Sequence, residues 1–240
     1  MTIQELNNET KLTLKENVES VLDNIEKYRD KGLYKKKVTL LAATKTVPAL
    51  VINYVTQQLG VKDIGENRVQ ELLDKYEDLD LTGVKLHFIG KLQTNKVKYI
   101  IDKVDMIHSL DSLKLAKEID LRAKKIGKVM DVLVEINSGR EENKSGIFPE
   151  EAVEFLEKLV EFENIRVKGF MTIAPVCAEK EDYRKYFRET YSIFIDNLQN
   201  KHHNIDVEFL SMGMTDSYSI AIEEGSDIVR IGSAIFGSRY

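Results

Sequence analysis

The sequence has a single cysteine, Cys177, which excludes an intrachain disulfide and a zinc site built from several cysteines. Its four histidines show no HExxH-type spacing, so the zinc-hydrolase motif is missing. No apolar run is long enough to span a bilayer, and the polar N-terminus lacks the apolar segment of a signal peptide. With only three prolines and no glycine- and serine-rich linker, we expect one domain over residues 1–240, located in the cytoplasm and not bound to a membrane.

An excess of positive charge is also missing. The 35 Lys+Arg residues are outnumbered by 40 Asp+Glu residues, which gives a formal net charge of −5. A weakly acidic surface binds phosphate backbones poorly, so we do not expect nucleic acid as a partner. Hydrophobic residues make up 42% of the chain and charged residues 31%, as is usual for a globular protein of this size.

What the chain does contain is a repeated alternation of short apolar runs and helical stretches. The clearest helical stretches cover residues 111–125 and 149–162. This alternation indicates a parallel α/β fold, and eight units suit a (β/α)8 TIM-type barrel, whose usual size is ~250 residues. The eight apolar runs begin near Val38, Val61, Lys85, Met106, Val129, Arg166, Asp206 and Asp227.

Two other folds use similar repeats. A doubly wound open sheet is built from the same units, but no candidate strand is followed by the glycine-rich loop GxGxxG. A leucine-rich repeat has a similar period, but the LxxLxL pattern is not present. The barrel is therefore the prediction.

An amphipathic segment precedes the first strand and predicts an additional N-terminal helix that ends at Gly32. Few residues follow the last strand, so this helix can take the place of an eighth outer helix. Its apolar face is predicted to consist of Leu14, Val18, Val21, Leu22 and Ile25.

Lys45 follows the first apolar run and precedes a possible helix start at Pro48. In a barrel this position lies at the C-terminal rim, where active sites are built. We expect the lysine amine to be partly desolvated there, which favours the neutral, nucleophilic form. The position alone also fits an ordinary surface lysine.

Two turns rich in glycine and hydroxyl groups follow the seventh and eighth strands. The first contains Gly213 and Thr215, and the second contains Gly232 and Ser233. The loops after strands seven and eight form the recurrent phosphate site of these barrels, and small residues let a phosphate approach the backbone. Each turn also has a simpler interpretation, namely helix capping by Thr215 or Asp216 in the first and an ordinary glycine turn in the second.

Arg230 lies within the eighth strand, so its guanidinium is predicted to be buried and to need acceptors. It is either a structural ion-pair partner or a ligand contact near the phosphate. His87 and His108 are expected to be hydrogen-bonded core residues, and Cys177 is expected to be incidental. Lesser polar candidates at the same rim follow strands two and three; they are Glu66, Asn67, Arg68, Gln93, Asn95 and Lys96.

A strand-end lysine, a phosphate cup and an arginine at one rim suit pyridoxal 5'-phosphate (PLP), whose aldehyde, phosphate and ring nitrogen each need a partner. At this point the sequence resembles a known family, the pyridoxal-phosphate homeostasis proteins. The ordered motifs are AATKT, DIGENRVQE, HFIGKLQTNK, NSGREENKSG, KGFMTIAP, SMGMTDS and VRIGSAIFG, from about residue 38 onward. That family is similar to the N-terminal barrel domain of alanine racemase.

The resemblance implies a monomeric barrel that holds PLP as an internal aldimine on Lys45. It implies Gly213, Thr215, Gly232 and Ser233 around the phosphate, Arg230 at the ring nitrogen and Asn67 near the ring. It also implies a role in buffering PLP or delivering it to apo PLP-dependent enzymes, with an effect on vitamin B6 balance. Serine is usual in the family where Thr215 stands, and threonine where Ser233 stands, but both residues here keep a hydroxyl.

Two enzymatic alternatives stay open. A PLP-dependent amino-acid racemase needs a base on each face of the cofactor, and in alanine racemase a second domain supplies one of them. This sequence ends at Tyr240, directly after the barrel, which favours a non-catalytic carrier. A Schiff-base aldolase or phosphosugar enzyme would use the same barrel without a bound chromophore.

Overall fold

The computed structural model describes residues 6–32, 35–199 and 201–237. Tyr240, on which the comparison with the racemase depends, lies outside the described residues. Eight parallel strands form a closed barrel in the order β1-β2-β3-β4-β5-β6-β7-β8, with β8 paired to β1. The predicted (β/α)8 barrel with an additional N-terminal helix is confirmed, and each strand begins within two residues of its predicted start.

The strands are β1 Thr39–Ala43, β2 Asp63–Glu66, β3 Lys85–Phe88, β4 Met106–Leu110, β5 Met130–Ile136, β6 Ile165–Thr172, β7 Ile205–Ser211 and β8 Ile228–Ile231. The α-helices are α1 Asn8–Lys31, α2 Ala49–Asn53, α3 Val69–Lys75, α4 Leu113–Lys125, α5 Ala152–Leu159, α6 Tyr183–Asn197, α7 Tyr218–Glu223 and α8 Ser233–Phe236. A π-helical turn, Tyr54–Gln58, continues α2, and a 3-10 helix, Thr94–Tyr99, links β3 to β4.

Closure of the barrel depends on β1 and β8, the first and last strands. Their register pairs Leu41 with Arg230 and Ala42 with Ile231. On its other side β1 pairs with β2, and Ala43 lies opposite Gly65. Because all strands are parallel, the residues that follow β8, β1 and β2 meet at the same end of the barrel.

Helix α1 packs against α7 and α8 and so occupies the position of an eighth outer helix, as predicted. The Asn17 side chain donates a hydrogen bond of 2.9 Å to the carbonyl oxygen of Ile235 in α8. Gly32 ends the helix, also as predicted. Leu22 was wrongly assigned to the buried face, since it is 41% exposed while Val21 is buried.

The main hydrophobic core lies between the strands and the surrounding helices, and two smaller buried clusters are centred on Leu41 and Leu133. The strand residues are buried on both faces, which explains why the runs in the sequence are continuously apolar. In the described part of the chain, no helix has the length and apolar character needed to cross a membrane.

Candidate functional site

The residues predicted to bind the cofactor lie on one arc of the barrel rim. They come from four strands that are consecutive around the closed barrel, namely β7, β8, β1 and β2, or from the turns that directly follow those strands. The predicted set consists of Lys45, Asn67, Gly213, Thr215, Arg230, Gly232 and Ser233. Lys45, Gly232 and Ser233 line one pocket, whereas Gly213 and Arg230 line another.

Lys45 lines a small rim pocket together with Gly232 and Ser233. Its side chain is exposed, so the expectation of a partly desolvated amine is wrong. The reason is that β1 ends at Ala43, two residues earlier, and Thr44 takes the buried position at the strand end. The amine is therefore open to solvent beside the predicted phosphate turn.

Lys75 of α3 is a buried lysine that donates hydrogen bonds to the backbone of the loop that carries Lys45. Lys75 Nζ donates to the carbonyl oxygen of Thr44 at 2.8 Å and to that of Val47 at 3.2 Å. Thr46, between them, has a φ of 63°, which is a strained conformation for a β-branched residue. Its amide donates to Glu71, so both flanks of the strained turn are held by α3.

Glu66 also helps to hold this loop, and together with Lys75 it forms what we call the Lys75 clamp. Its carboxylate contacts Lys75 Nζ and accepts from the Thr44 hydroxyl, and the side chain is fully buried. Burial raises the pKa of Glu66, while Lys75 and Thr44 act against that rise. The sequence placed Glu66 among the polar rim residues, but the structure turns it toward Lys75 instead. Lys75 was missed, although Val69, Leu72 and Lys75 follow the spacing of one helix face.

The turn after β7 approaches the turn after β8 through their hydroxyl groups. Ser233 Oγ lies 3.1 Å from Thr215 Oγ1 and donates to it. Helix α7 begins only at Tyr218, without a side-chain cap, so the alternative of capping by Thr215 or Asp216 is not observed. Gly213 has a φ of 91°, and an added Cβ would lie 2.5 Å from the Ala221 side chain. A glycine is required there for the turn to pack on α7.

Gly232 precedes the short helix α8 and faces β1. A Cβ at this position would come within 3.1 Å of the carbonyl oxygen of Ala43. The amides of Ser233 and Ala234 start the helix and have no acceptor within it. This turn thus combines backbone donors and a hydroxyl with a glycine that lines the rim pocket beside Ala43.

Arg230 is only 3% exposed, and its guanidinium donates to Ser211 Oγ at 2.7 Å and to the carbonyl oxygen of Thr172 at 2.9 Å. Both acceptors are neutral, so these contacts do not support the ion-pair alternative. Burial lowers the pKa of Arg230 to about 10, partly opposed by Glu135. The side chain is therefore a buried cation at neutral pH.

Comparisons of the sequence and of the fold with known proteins lead to the same family. The family described as "Alanine racemase, N-terminal domain" matches residues 17–240. A pyridoxal phosphate homeostasis protein from Aquifex aeolicus (strain VF5) is 47% identical over 93% of this chain and 97% of its own. A protein of the same name from Escherichia coli (strain K12) is 34% identical over 91% and 97%. The chain belongs to the pyridoxal phosphate homeostasis protein family.

Two solved structures of PipY from Synechococcus elongatus PCC7942 share this fold at 28% identity, covering 93% of this chain and 100% of PipY. One contains bound PLP and has a TM-score of 0.80, and the other lacks PLP and has a TM-score of 0.82. The family resemblance found in the sequence motifs is thereby confirmed.

In this member of the pyridoxal phosphate homeostasis protein family, Asn67 has an unusual environment. It is half-buried, and its Oδ1 atom is buried with no hydrogen-bond partner in the described part of the protein. A buried acceptor without a donor is costly, so this atom is available for a ligand group. Its backbone packs closely on Gly90, where an added Cβ would lie 2.1 Å from the Asn67 carbonyl oxygen.

The lesser candidates do not form a second cluster in this family member. Arg68 flanks α3 and is exposed, as are Gln93 and Asn95. Lys96 Nζ lies 5.5 Å from the ring centre of Tyr99.

The two histidines fulfil the prediction of hydrogen-bonded core residues. His108 is fully buried and His87 is 3% exposed, and their ring nitrogens lie 2.9 Å apart. Cys177 is partly buried, and burial raises the pKa of its thiol, which disfavours the reactive thiolate.

Proposed function

We propose that this protein binds PLP covalently through Lys45 and buffers it or delivers it to other proteins, without turning over amino acids. The observation that carries this proposal is the convergence of the predicted binding residues on one arc of the rim, with Lys45, Gly232 and Ser233 in one pocket. The PLP-bound structure of the related PipY supports the same cofactor.

The residues of this arc fit the chemical needs of PLP. The cofactor supplies an aldehyde that condenses with a primary amine, and Lys45 offers an exposed amine at the rim. A phosphate needs several hydrogen-bond donors, which the hydroxyls of Thr215 and Ser233 and the first amides of α8 provide. The fit therefore rests on donors of the right chemistry and on space beside a glycine.

Two further residues, Arg230 and Asn67, have side chains suited to contact the pyridine ring of PLP. Arg230 presents a buried cation, which suits an unprotonated pyridine nitrogen as acceptor. Asn67 contributes an acceptor that has no partner within the described protein. A cation at the ring nitrogen weakens the electron sink on which most PLP enzymes depend, and this favours storage of the cofactor over its use in catalysis.

The exposure of the site supports delivery of PLP to other proteins. Lys45 and Ser233 are both exposed, so water and the lysine of another protein can reach the bound cofactor. An open site also stabilises charged reaction intermediates poorly. We propose apo PLP-dependent enzymes as recipients, and a single-domain monomer acting in the cytoplasm as the carrier.

The covalent link is tested by adding PLP to the full chain, reducing with borohydride and mapping the modified lysine by peptide mass spectrometry. We expect an absorbance band near the visible edge and one adduct on Lys45, with both lost in Lys45→Ala. Lys91→Ala is the matched control, because Lys91 is an exposed lysine that follows β3, on the far side of β2 from β1. An adduct on another lysine in the unmodified chain would overturn the assignment.

The carrier role is tested by incubating PLP-loaded protein with an apo-enzyme and, in parallel, with L-alanine and other amino acids. We expect the apo-enzyme to become active and no racemised amino acid to form. Many turnovers of racemisation per site, absent from Lys45→Ala, would establish the racemase alternative instead.

A further inference from the structure

A continuous chain of hydrogen bonds crosses the barrel interior and ends on Arg230. Asp63 Oδ1 lies 3.1 Å from His87 Nε2, and His87 Nδ1 lies 2.9 Å from His108 Nε2. His108 Nδ1 lies 3.2 Å from Ser211 Oγ, which in turn accepts from Arg230 at 2.7 Å. The five residues come from β2, β3, β4, β7 and β8. Because β4 and β7 are not neighbours, the contact between His108 and Ser211 must pass through the interior.

The interior residues of this hydrogen-bond chain are shielded from water. His108 and Ser211 are fully buried, while His87 and Arg230 are each 3% exposed. Asp63 at the far end is more accessible, with its side chain 19% exposed. Hydrogen bonds in such surroundings are electrostatically stronger than in water and polarise one another.

The two ends of the hydrogen-bond chain constrain the protons between them. The Asp63 carboxylate can only accept, so His87 must carry its proton on Nε2. If His87 is neutral, its Nδ1 accepts, which places the proton of a neutral His108 on Nε2 as well. His108 Nδ1 is left as an acceptor for the Ser211 hydroxyl.

The hydrogen bond at the Arg230 end fits the same direction of donation. A guanidinium can only donate, and Ser211 Oγ is free to accept because its own proton points to His108. Burial, together with the charge of Arg230, holds the pKa of His108 well below its usual value of 6.5. His108 is therefore neutral, as the chain requires.

We propose that Ser211, His108 and His87 form a one-directional relay that positions the Arg230 guanidinium toward the pyridine ring of bound PLP. This inference rests on the proposed function, since it assigns positioning residues to the same site. Ser211 and the carbonyl oxygen of Thr172 hold two guanidinium nitrogens, and the relay prevents the Ser211 hydroxyl from turning away. Without the relay, Arg230 would keep its charge but lose its fixed orientation.

The proton arrangement is tested on the unmodified full chain without PLP, by ¹⁵N NMR of labelled histidine. We expect both buried imidazoles to be neutral with the proton on Nε2, and the exposed His202 and His203 serve as internal references. A proton on Nδ1 of His108 would reverse the relay and overturn the proposal, because His108 would then donate to Ser211.

The effect on the site is tested with Ser211→Ala and a matched control, Ser109→Ala. Ser109 is a strand residue that is 1% exposed, and its hydroxyl has no hydrogen-bond partner among the described residues. We expect Ser211→Ala to shift the absorption maximum of bound PLP and to weaken PLP binding about three- to tenfold. Ser109→Ala should change neither.

The outcomes separate this inference from the proposed function. If the unmodified chain forms no adduct on Lys45, the proposed function fails, whatever the histidine protons show. If the adduct forms in both serine variants and Ser211→Ala keeps the spectrum and affinity of the unmodified chain, PLP binding stands and the positioning role is refuted.

Discussion

Lys75 Nζ lies 2.8 Å from the carbonyl oxygen of Thr44, the residue that directly precedes Lys45. A lysine that is itself 8% exposed thus supports the backbone beside an exposed lysine. The buried cation is compensated by Glu66, and together they tie α3 to the end of β1. The backbone on both sides of Lys45 is therefore held by a neighbouring helix.

Replacing Lys75 by methionine should destabilise the protein strongly. The change leaves Glu66 buried without its cation, and breaking a buried ion pair from one side typically costs about 3–5 kcal/mol. Urea unfolding measures the loss, and the double variant Lys75→Met with Glu66→Gln should recover part of it because no charge is then buried alone.

Lys158→Met provides the matched control for this prediction. Lys158 pairs with Glu154 one turn away on α5, but both side chains are more than half exposed. Exposed pairs of this kind contribute little to stability, so the control should unfold almost as the unmodified protein does. Equal losses in the two variants would show that the Lys75 cluster is not a buried clamp.

Gly213→Ala should destabilise the protein by more than backbone conformation alone explains. The residue has a φ of 91°, and the new Cβ would lie 2.9 Å from Tyr218 Cα in addition to its contact with Ala221. Gly83→Ala is the control, since Gly83 has a φ of 68° and open space around it. We expect about 1–2 kcal/mol for the control and a clearly larger loss of unfolding free energy for Gly213→Ala.

In the turn after β8, loss of the Ser233 hydroxyl should weaken PLP binding less than a bulky side chain at Gly232. Ser233→Ala removes one neutral hydrogen bond, which contributes about 0.5–1.5 kcal/mol to PLP binding. Gly232→Val introduces a branched side chain whose Cβ already lies 3.1 Å from the Ala43 carbonyl oxygen, so we expect a much larger loss. A PLP titration measures both, with pyridoxal lacking its phosphate as the control ligand. Unchanged PLP affinity in Gly232→Val would exclude phosphate binding at this turn.

Asp227→Asn should stabilise the protein at alkaline pH. Burial raises the pKa of Asp227 from 3.8 to about 6, opposed by Lys36 and by the backbone amide of Leu210. The folded pKa lies above the unfolded one, so the carboxyl stabilises the fold below about pH 3.8, and that contribution is lost as the pH rises through about 6. The advantage of the variant at pH 8 should reach up to about 3 kcal/mol.

Urea unfolding of both proteins at several pH values checks this prediction. The difference between them isolates Asp227, because Glu135, whose pKa burial also raises to about 6, titrates in both. A difference that does not change between pH 4 and pH 8 would contradict the raised pKa.

The sequence predicts the barrel well because strands buried on both faces leave continuous apolar runs, and eight such runs give the number of strands. It also locates Lys45, Arg230 and the turns after β7 and β8 at one end of the barrel, since barrel topology places strand ends at one rim. It does not predict the exposure of Lys45, because that depends on where β1 ends to within two residues. Nor does it predict the Lys75 clamp or the interior relay, which join residues that only the closed barrel brings together.

The partners of helix α1, which are α7 and α8, lie far from it in the sequence. The apolar face of α1, which includes Leu14, Val18 and Ile25, packs on α7 and α8, and Asn17 contacts a residue 218 positions later. At about 5–20 residues per second, a ribosome needs on the order of ten seconds or more to reach those partners. Until those partners are synthesised, the apolar face of α1 and the edge of β1 that pairs with β8 lack their native contacts. The closed barrel therefore cannot form before α7, β8 and α8 have been made.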